Sequence, residues 1–210
     1  MVGYTYFRES SGCLQHLGVA GFSNRSHPKQ FSPMQTVYWA KPPTGWVKVN
    51  VDGSACGNLS FSGGGRICRR DDGSFVFAFS SAYGVGSNNQ AELRAIYDGI
   101  VLCLDRGFSK IIVETDSMVA AVLLSGTSAT RWKWKPWVAR IKSFEQTAEF
   151  VFSAIPREGN GPVDGMAREA SGIQASLVTS HYQDLPPHIR GLLFLDKVGL
   201  GAVRDTNMKM

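Results

Sequence analysis

Between Val47 and Asp52, apolar and polar positions alternate, with Val47, Val49 and Val51 set against Lys48, Asn50 and Asp52. A period of two is that of a strand with one face in a core, and it leaves Asp52 at the strand's end, facing away from the valines. Ile67 to Arg70 and Phe75 to Phe79 flank Asp71-Asp72-Gly73, the pattern of two strands joined by a tight turn. Gly63-Gly64-Gly65 lacks the spacing of a phosphate loop and predicts a bulge or a close backbone approach instead. From Asn89 to Arg106 the apolar residues Leu93, Ile96, Ile100 and Leu104 recur at helical spacing, and Gly107 supplies a stop. Ile111-Ile112-Val113 suits a central strand; Ser117 or Asp116 then caps a helix over Met118 to Leu124. Pro136 to Phe144 reads as a helix, Phe150 to Ile155 as a strand, and Gly161-Pro162 as the start of a final helix.

Three strands, a helix, a strand, helices, a strand and a helix make a mixed α/β fold. Its five-stranded mixed sheet has an antiparallel three-strand meander and flanking helices. Residues 1–43, rich in Ser, Gly, His and Pro without a period, read as a loosely ordered leader and linker ending at Lys41-Pro42-Pro43. The folded domain is expected over 44–178, with a C-terminal extension over 179–210. A hydrophobic content of 43% with 19% charged residues describes a chain that builds a core rather than a disordered one. No apolar run has the length of a membrane span, and the N-terminus lacks an export signal, so the expected location is intracellular, nucleus or cytoplasm, and not secreted. Cys13, Cys56, Cys68 and Cys103 are scattered without a CxxC pair, which fits reduced thiols better than zinc ligands or a disulfide framework. A net charge of +5 is compatible with a polyanionic partner, but carries weight only if it lies around a site.

The acids supply the candidate chemistry. Asp52 lies at a strand end, Glu92 near the start of the long helix, Asp116 at the carboxyl end of the central strand, and Asp164 in the first turn of the final helix. The carboxyl ends of strands in open α/β sheets are where ligand-binding groups gather. Taken singly, each acid has a plain structural reading as a cap or as a complement to a helix N-terminus. Taken together, four converging carboxylates repel one another unless a cation neutralises them. All-oxygen ligation is the preference of Mg²⁺ or Mn²⁺, and two such ions serve phosphodiester cleavage.

The segments around these acids resemble a known family. Val49-Asn50-Val51-Asp52-Gly53-Ser54, Asn88-Asn89-Gln90-Ala91-Glu92-Leu93-Arg94-Ala95 and Glu114-Thr115-Asp116-Ser117 resemble, in order, three motifs of type 1 ribonuclease H. Arg157-Glu158-Gly159-Asn160 with Val163-Asp164-Gly165-Met166-Ala167 resembles the fourth. The likeness is to the plant branch related to retrotransposon ribonuclease H domains, whose extension Asp184-Leu185-Pro186-Pro187 to Asp196 also resembles. It spans roughly Gly45 to Leu200. The resemblance implies a ribonuclease-H-like fold and metal-dependent endonucleolytic cleavage of the RNA strand of RNA–DNA hybrids. It implies Asp52, Glu92, Asp116 and Asp164 as catalytic metal ligands for two Mg²⁺ ions, with Mn²⁺ as a substitute. Gly53, Ser54, Asn58, Asn88 and Asn89 match positions that meet the hybrid, and Ser87 matches a phosphate-pocket position; turn formation is the competing reading of the asparagines. The chain is expected to act as a monomer, away from membranes.

Two departures bear on turnover. The family often carries a histidine before its last aspartate, whereas this chain has none between His27 and His181, and Arg157 and Glu158 occupy that neighbourhood. Gly165 stands in the last motif at a cost to helix stability of about 1 kcal/mol against alanine. Arg131-Trp132-Lys133-Trp134-Lys135-Pro136-Trp137 interleaves cations with aromatics, as a strand-tracking surface does, although packing of the tryptophans into the core with solvated lysines explains it more simply. Three readings compete: an active hybrid ribonuclease, a catalytically weak or inactive nucleic-acid-binding domain derived from a retroelement, and a protein-interaction module. The intact acids speak against the third.

Overall fold

The alternation at Val47 sits in an inner strand of a six-stranded sheet. The computed structural model describes residues 35–55, 60–126, 134–173 and 176–204. The strands are β2 (Val47–Ala55), β3 (Ser60–Arg70), β4 (Phe75–Gly86), β5 (Lys110–Thr115), β6 (Glu149–Ala154) and β7 (Leu177–Thr179). β2, β3 and β4 form the expected antiparallel meander, and β5 and β6 add to β2 in parallel. β7, outside the five expected strands, pairs with β4 at three positions. A separate ribbon joins β1 (Gln35–Val37) to β8 (Ala202–Arg204), so the end of the segment assigned to the leader meets the end of the extension.

Two cores flank the sheet. On one face, α1 (Asn88–Asp105), α2 (Met118–Leu124) and α3 (Lys135–Ser143) bury Leu93, Ile96, Ile100 and Ile141 against Val47, Val49, Val51 and Val113. Cys103 takes the innermost place at the end of α1, and Leu104 packs half-buried beside it. On the other face, α4 (Gly161–Ile173) and α5 (Pro187–Lys197) close over Ile67 and Ala78 with Val163, Met166, Ile189 and Leu193. α5 means that the helix opened by Gly161-Pro162 is not the last. The glycine triplet is a close approach: a Cβ on Gly65 would stand 2.6 Å from the Val163 carbonyl oxygen and 2.9 Å from the Ala167 nitrogen. This bare strand lets α4, and Asp164 with it, lie directly on β3.

β2 departs from its expected half-solvated character. Lys48, Asn50 and Asp52 are as buried as the valines, because α4, the 3-10 turn Arg157–Asn160 and the chain around Trp39 cover that face. The strand also continues past Asp52 to Ala55. Trp134 and Trp137 pack half-buried on the first core, and Trp137 meets Tyr97 edge-on at 5.8 Å, as core packing requires. Asn58, Cys13, Cys56 and Arg131 to Lys133 lie outside the described residues. Cys68 and Cys103 are buried thiols with their sulfurs 4.0 Å apart. Among the described residues no helix is long and apolar enough to cross a membrane.

Candidate metal centre

Register brings the first two acids together. β2 and β5 pair in parallel with Val51 opposite Thr115, so the residues that follow, Asp52 and Asp116, sit side by side at the carboxyl edge. Ser117 caps α2, its hydroxyl accepting from the Ala120 N–H at 3.3 Å. Asp116 is thereby left out of the cap, and its Oδ1 is buried with no hydrogen-bond partner among the described residues. Glu92, the fifth residue of α1, comes down onto this pair because Gly53 has no side chain: a Cβ there would collide with the backbone of Ala91 and Glu92. The Gly53 N–H and the Thr115 hydroxyl, at 3.4 Å, donate to the Glu92 carboxylate.

One carboxylate oxygen from each of Asp52, Glu92 and Asp116 lies within 4.8 Å of the other two. Burial, and then the charges of Asp116 and Asp164, push Asp52 up to about 7. Burial and the charges of Asp52 and Asp116 hold Glu92 well above the ordinary carboxylate range. Asp116 rises with burial, opposed by the Arg157 guanidinium. A cavity of about 210 Å³ opens over the three, lined also by Gly53, Ser54, Ala55, Asn88 and Arg157.

Asp164 is placed differently. Arg157 donates to its Oδ1 at 2.7 Å and Arg168, one turn along α4, reaches its Oδ2 at 3.0 Å. It stands outside the close triad but near enough for its charge to act on Asp52 and Asp116. Arg157 therefore occupies the loop that lacks a histidine and faces both Asp164 and the cavity.

Of the polar residues singled out in the sequence, Asn88 borders the acids and accepts from the Ala55 N–H at 2.8 Å through Oδ1. Ser87 precedes α1, and its N–H and hydroxyl both donate to Gln90 Oε1 at 3.2 Å. Asn89 faces a different hollow, beside Ser117, Val119 and Trp134.

Below the acids the same sheet face continues as a buried polar row that sequence reading did not single out. Lys48 pairs with Glu114 at 2.8 Å and Arg69 with Asp196 at 2.7 Å, so the lower row neutralises its own charge. No Lys or Arg among the described residues forms an ion pair with Asp52, Glu92 or Asp116. The i, i+2 series Lys48-Asn50-Asp52 beside Glu114-Asp116 was the available signal, hidden because alternating polar residues ordinarily face water. Asp52 and Asp116 end the row and, with Glu92 of α1, form its part without a direct ion pair among the described residues, and an all-oxygen set with an unpartnered buried oxygen fits a hard divalent cation.

Comparison with known proteins agrees with this architecture. A family model described as reverse transcriptase-like matches residues 50–170. The Arabidopsis thaliana "Putative ribonuclease H protein" is 27% identical over 184 residues, covering 82% of this chain and 27% of the relative. The chain thus spans about a quarter of that relative's length. Ribonuclease H1 of the archaeon Halobacterium salinarum is 26% identical with a TM-score of 0.58, over 60% of this chain and 96% of that one. LC11-RNase H1, solved in complex with an RNA/DNA hybrid, has a TM-score of 0.58 at 24% identity, over 61% and 98% of the two chains, a likeness of fold. With more than half of its length matched by the family model, the chain belongs to the reverse transcriptase-like family, and its likeness to these structures gives it the ribonuclease-H-like fold.

Proposed function

We propose that this protein is a metal-dependent endonuclease that hydrolyses the RNA strand of RNA–DNA hybrids. The observation that carries the reading is the convergence of Asp52, Glu92 and Asp116, with a buried Asp116 oxygen left unpartnered and no ion pair to the three among the described residues. Asp52, Glu92 and Asp116 would hold one Mg²⁺ or Mn²⁺, and Asp52 with Asp164 a second. When bound, such a pair supplies an activated water and neutralises charge on the leaving oxygen. The chain's own part is positional. Gly53 keeps Glu92 against Asp52, Ser117 releases Asp116 from capping, and Arg157 brings a fixed positive charge to the mouth of the cavity where a phosphate enters. Ser54 and Asn88 line that mouth, short enough to meet 2′-hydroxyls in a wide, shallow minor groove. Asn58, Ser87 and Asn89 complete the proposed hybrid contact. The hybrid bound to LC11-RNase H1, a relative in fold, makes the same substrate the first to test.

The test uses labelled RNA–DNA hybrid, duplex DNA and duplex RNA, with Mg²⁺ or with EDTA. Cleavage confined to the RNA of the hybrid, dependent on Mg²⁺ and abolished by Asp116→Asn, is the expected outcome. Hybrid binding without cleavage in Mg²⁺ or Mn²⁺ would replace this reading with that of a binding domain derived from a retroelement.

A further inference from the structure

We infer that the C-terminal extension is part of the site's support: Asp196 on α5, acting through Arg69, Asn50 and Asn160, fixes the turn that carries Arg157 and the first turn of α4 that carries Asp164. The inference rests on the metal-site reading for its functional consequence, while its structural content stands on the buried network alone.

Asn50 is the hub. Its Nδ2 donates to Glu114 Oε2 at 2.8 Å and to Asn160 Oδ1 at 3.2 Å, and its Oδ1 accepts from Trp39 Nε1 at 2.9 Å and Arg69 at 2.7 Å. A primary amide offers two donor hydrogens and two acceptor lone pairs, so every position is used and a flipped amide would set donor against donor. The four partners come from four separate parts of the chain: β5, the 3-10 turn before α4, the segment before β2, and β3. Asn160 is 1% exposed. Its own Nδ2 donates to the Val51 carbonyl at 3.0 Å, the peptide oxygen just before Asp52. One side chain thus ties the start of α4 to the strand residue adjoining the first acid, which sets the spacing between Asp52 and Asp164.

The extension controls whether this hub holds. Arg69 is 2% exposed and lies 3.5 Å over the Trp39 ring. Its charge is met by Asp196 at 2.7 Å. Without Asp196 a buried guanidinium is left uncompensated, which is far costlier than losing the pair. The acid beside it in the same row is Glu114, held by Lys48 and Asn50. Drawing Glu114 toward Arg69 removes one of the Asn50 bonds and frees the amide to turn away from Asn160. A second tie runs the same way: Arg204 of β8 stands 3.9 Å from Glu158 in that turn. Trp39, Asn50, Arg69, Asn160 and Asp196 are positioning residues, since they act on Arg157 and Asp164 through others.

The test compares Asp196→Ala with Leu193→Ala in the full chain. Leu193 is buried on the same helix but packs in the apolar core with Val163 and Met166 of α4, so its loss weakens that packing without removing a member of the polar network. Two readouts are taken: half-saturating Mg²⁺ for hybrid cleavage, and amide hydrogen exchange over residues 157–166. Asp196→Ala is expected to raise half-saturating Mg²⁺ about tenfold, the usual scale for a group supporting a metal ligand, and to speed exchange at 157–166. Leu193→Ala lowers thermal stability but shifts both readouts less than Asp196→Ala does, and Asp196→Asn, which keeps an acceptor for Arg69, falls short of Asp196→Ala as well. Equal effects of the Asp196 and Leu193 variants, or unchanged exchange at 157–166 in both Asp196 variants, overturn the inference. If the wild type proves not to need Mg²⁺, the metal-site reading fails, while exchange that still responds to Asp196 upholds the network.

Discussion

Asp52 joins a strand that must be buried to a carboxylate that must be charged to bind a cation, and the conflict is measurable. Its folded value is pushed to about 7 by burial and by Asp116 and Asp164, whereas in the unfolded chain it titrates near its ordinary value of about 3.9. Between those values the metal-free folded protein holds a proton that the unfolded chain has lost. Stability therefore falls as pH rises from about 4 to about 7 and stays low above that. Melting temperature in EDTA is expected to fall over that range more steeply for the wild type than for Asp52→Asn; parallel slopes would remove the assignment. Binding Mg²⁺ must displace the same proton, so affinity rises with pH through about 7. The positions of Asp52, Glu92 and Asp116 were legible from the order of the motifs, and that of Asp116 also from the end of its strand. What Lys48, Asn50 and Glu114 do was not, because period-two polarity carries no sign of the side chains that later cover it. The grip of Arg157 and Arg168 on Asp164 was likewise invisible, since only one of the two lies at helical spacing from it.

At the scale of elements, two missing side chains decide where the helices lie. Gly53 admits α1 to β2 and Gly65 admits α4 to β3. Gly65→Ala places a methyl against the Val163 carbonyl and forces α4 outward. It is expected to cost about 1–3 kcal/mol by overpacking, measured by urea denaturation, and to weaken Mg²⁺ binding because Asp164 travels with the helix. Unchanged stability would mean that α4 has slack the geometry does not suggest. Gly165, costly by propensity, has a packing reason as well, since a Cβ there would stand 2.9 Å from Ile189 Cδ1 of α5. The meander, α1, α2, β5 and α4 were legible from period and stop signals, as Gly107 illustrates at the end of α1 with φ of 77°. β7, β8 and β1 were not: each is three residues long, and its pairing is set by distant partners rather than by its own pattern.

Across the molecule, the net charge of +5 contrasts with a site built from acids. Under the proposed function, basic residues elsewhere attract the hybrid, and affinity is expected to fall steeply as salt rises, with Asp116→Asn retaining that slope while losing cleavage. A salt-insensitive affinity in filter binding would place recognition in direct contacts instead. Trp39 lies in the segment expected as leader and linker, 1–43, and Asp196 in the extension expected over 179–210. Trp39 and Asp196 complete the network under the acids, a long-range arrangement that no local pattern announces. The most direct measurement is the anomalous scattering of a crystal soaked in Mn²⁺. A peak between the carboxylate oxygens of Asp52, Glu92 and Asp116 is the expected result; a soaked crystal with ordered side chains and no peak between those three acids would contradict the metal-site assignment.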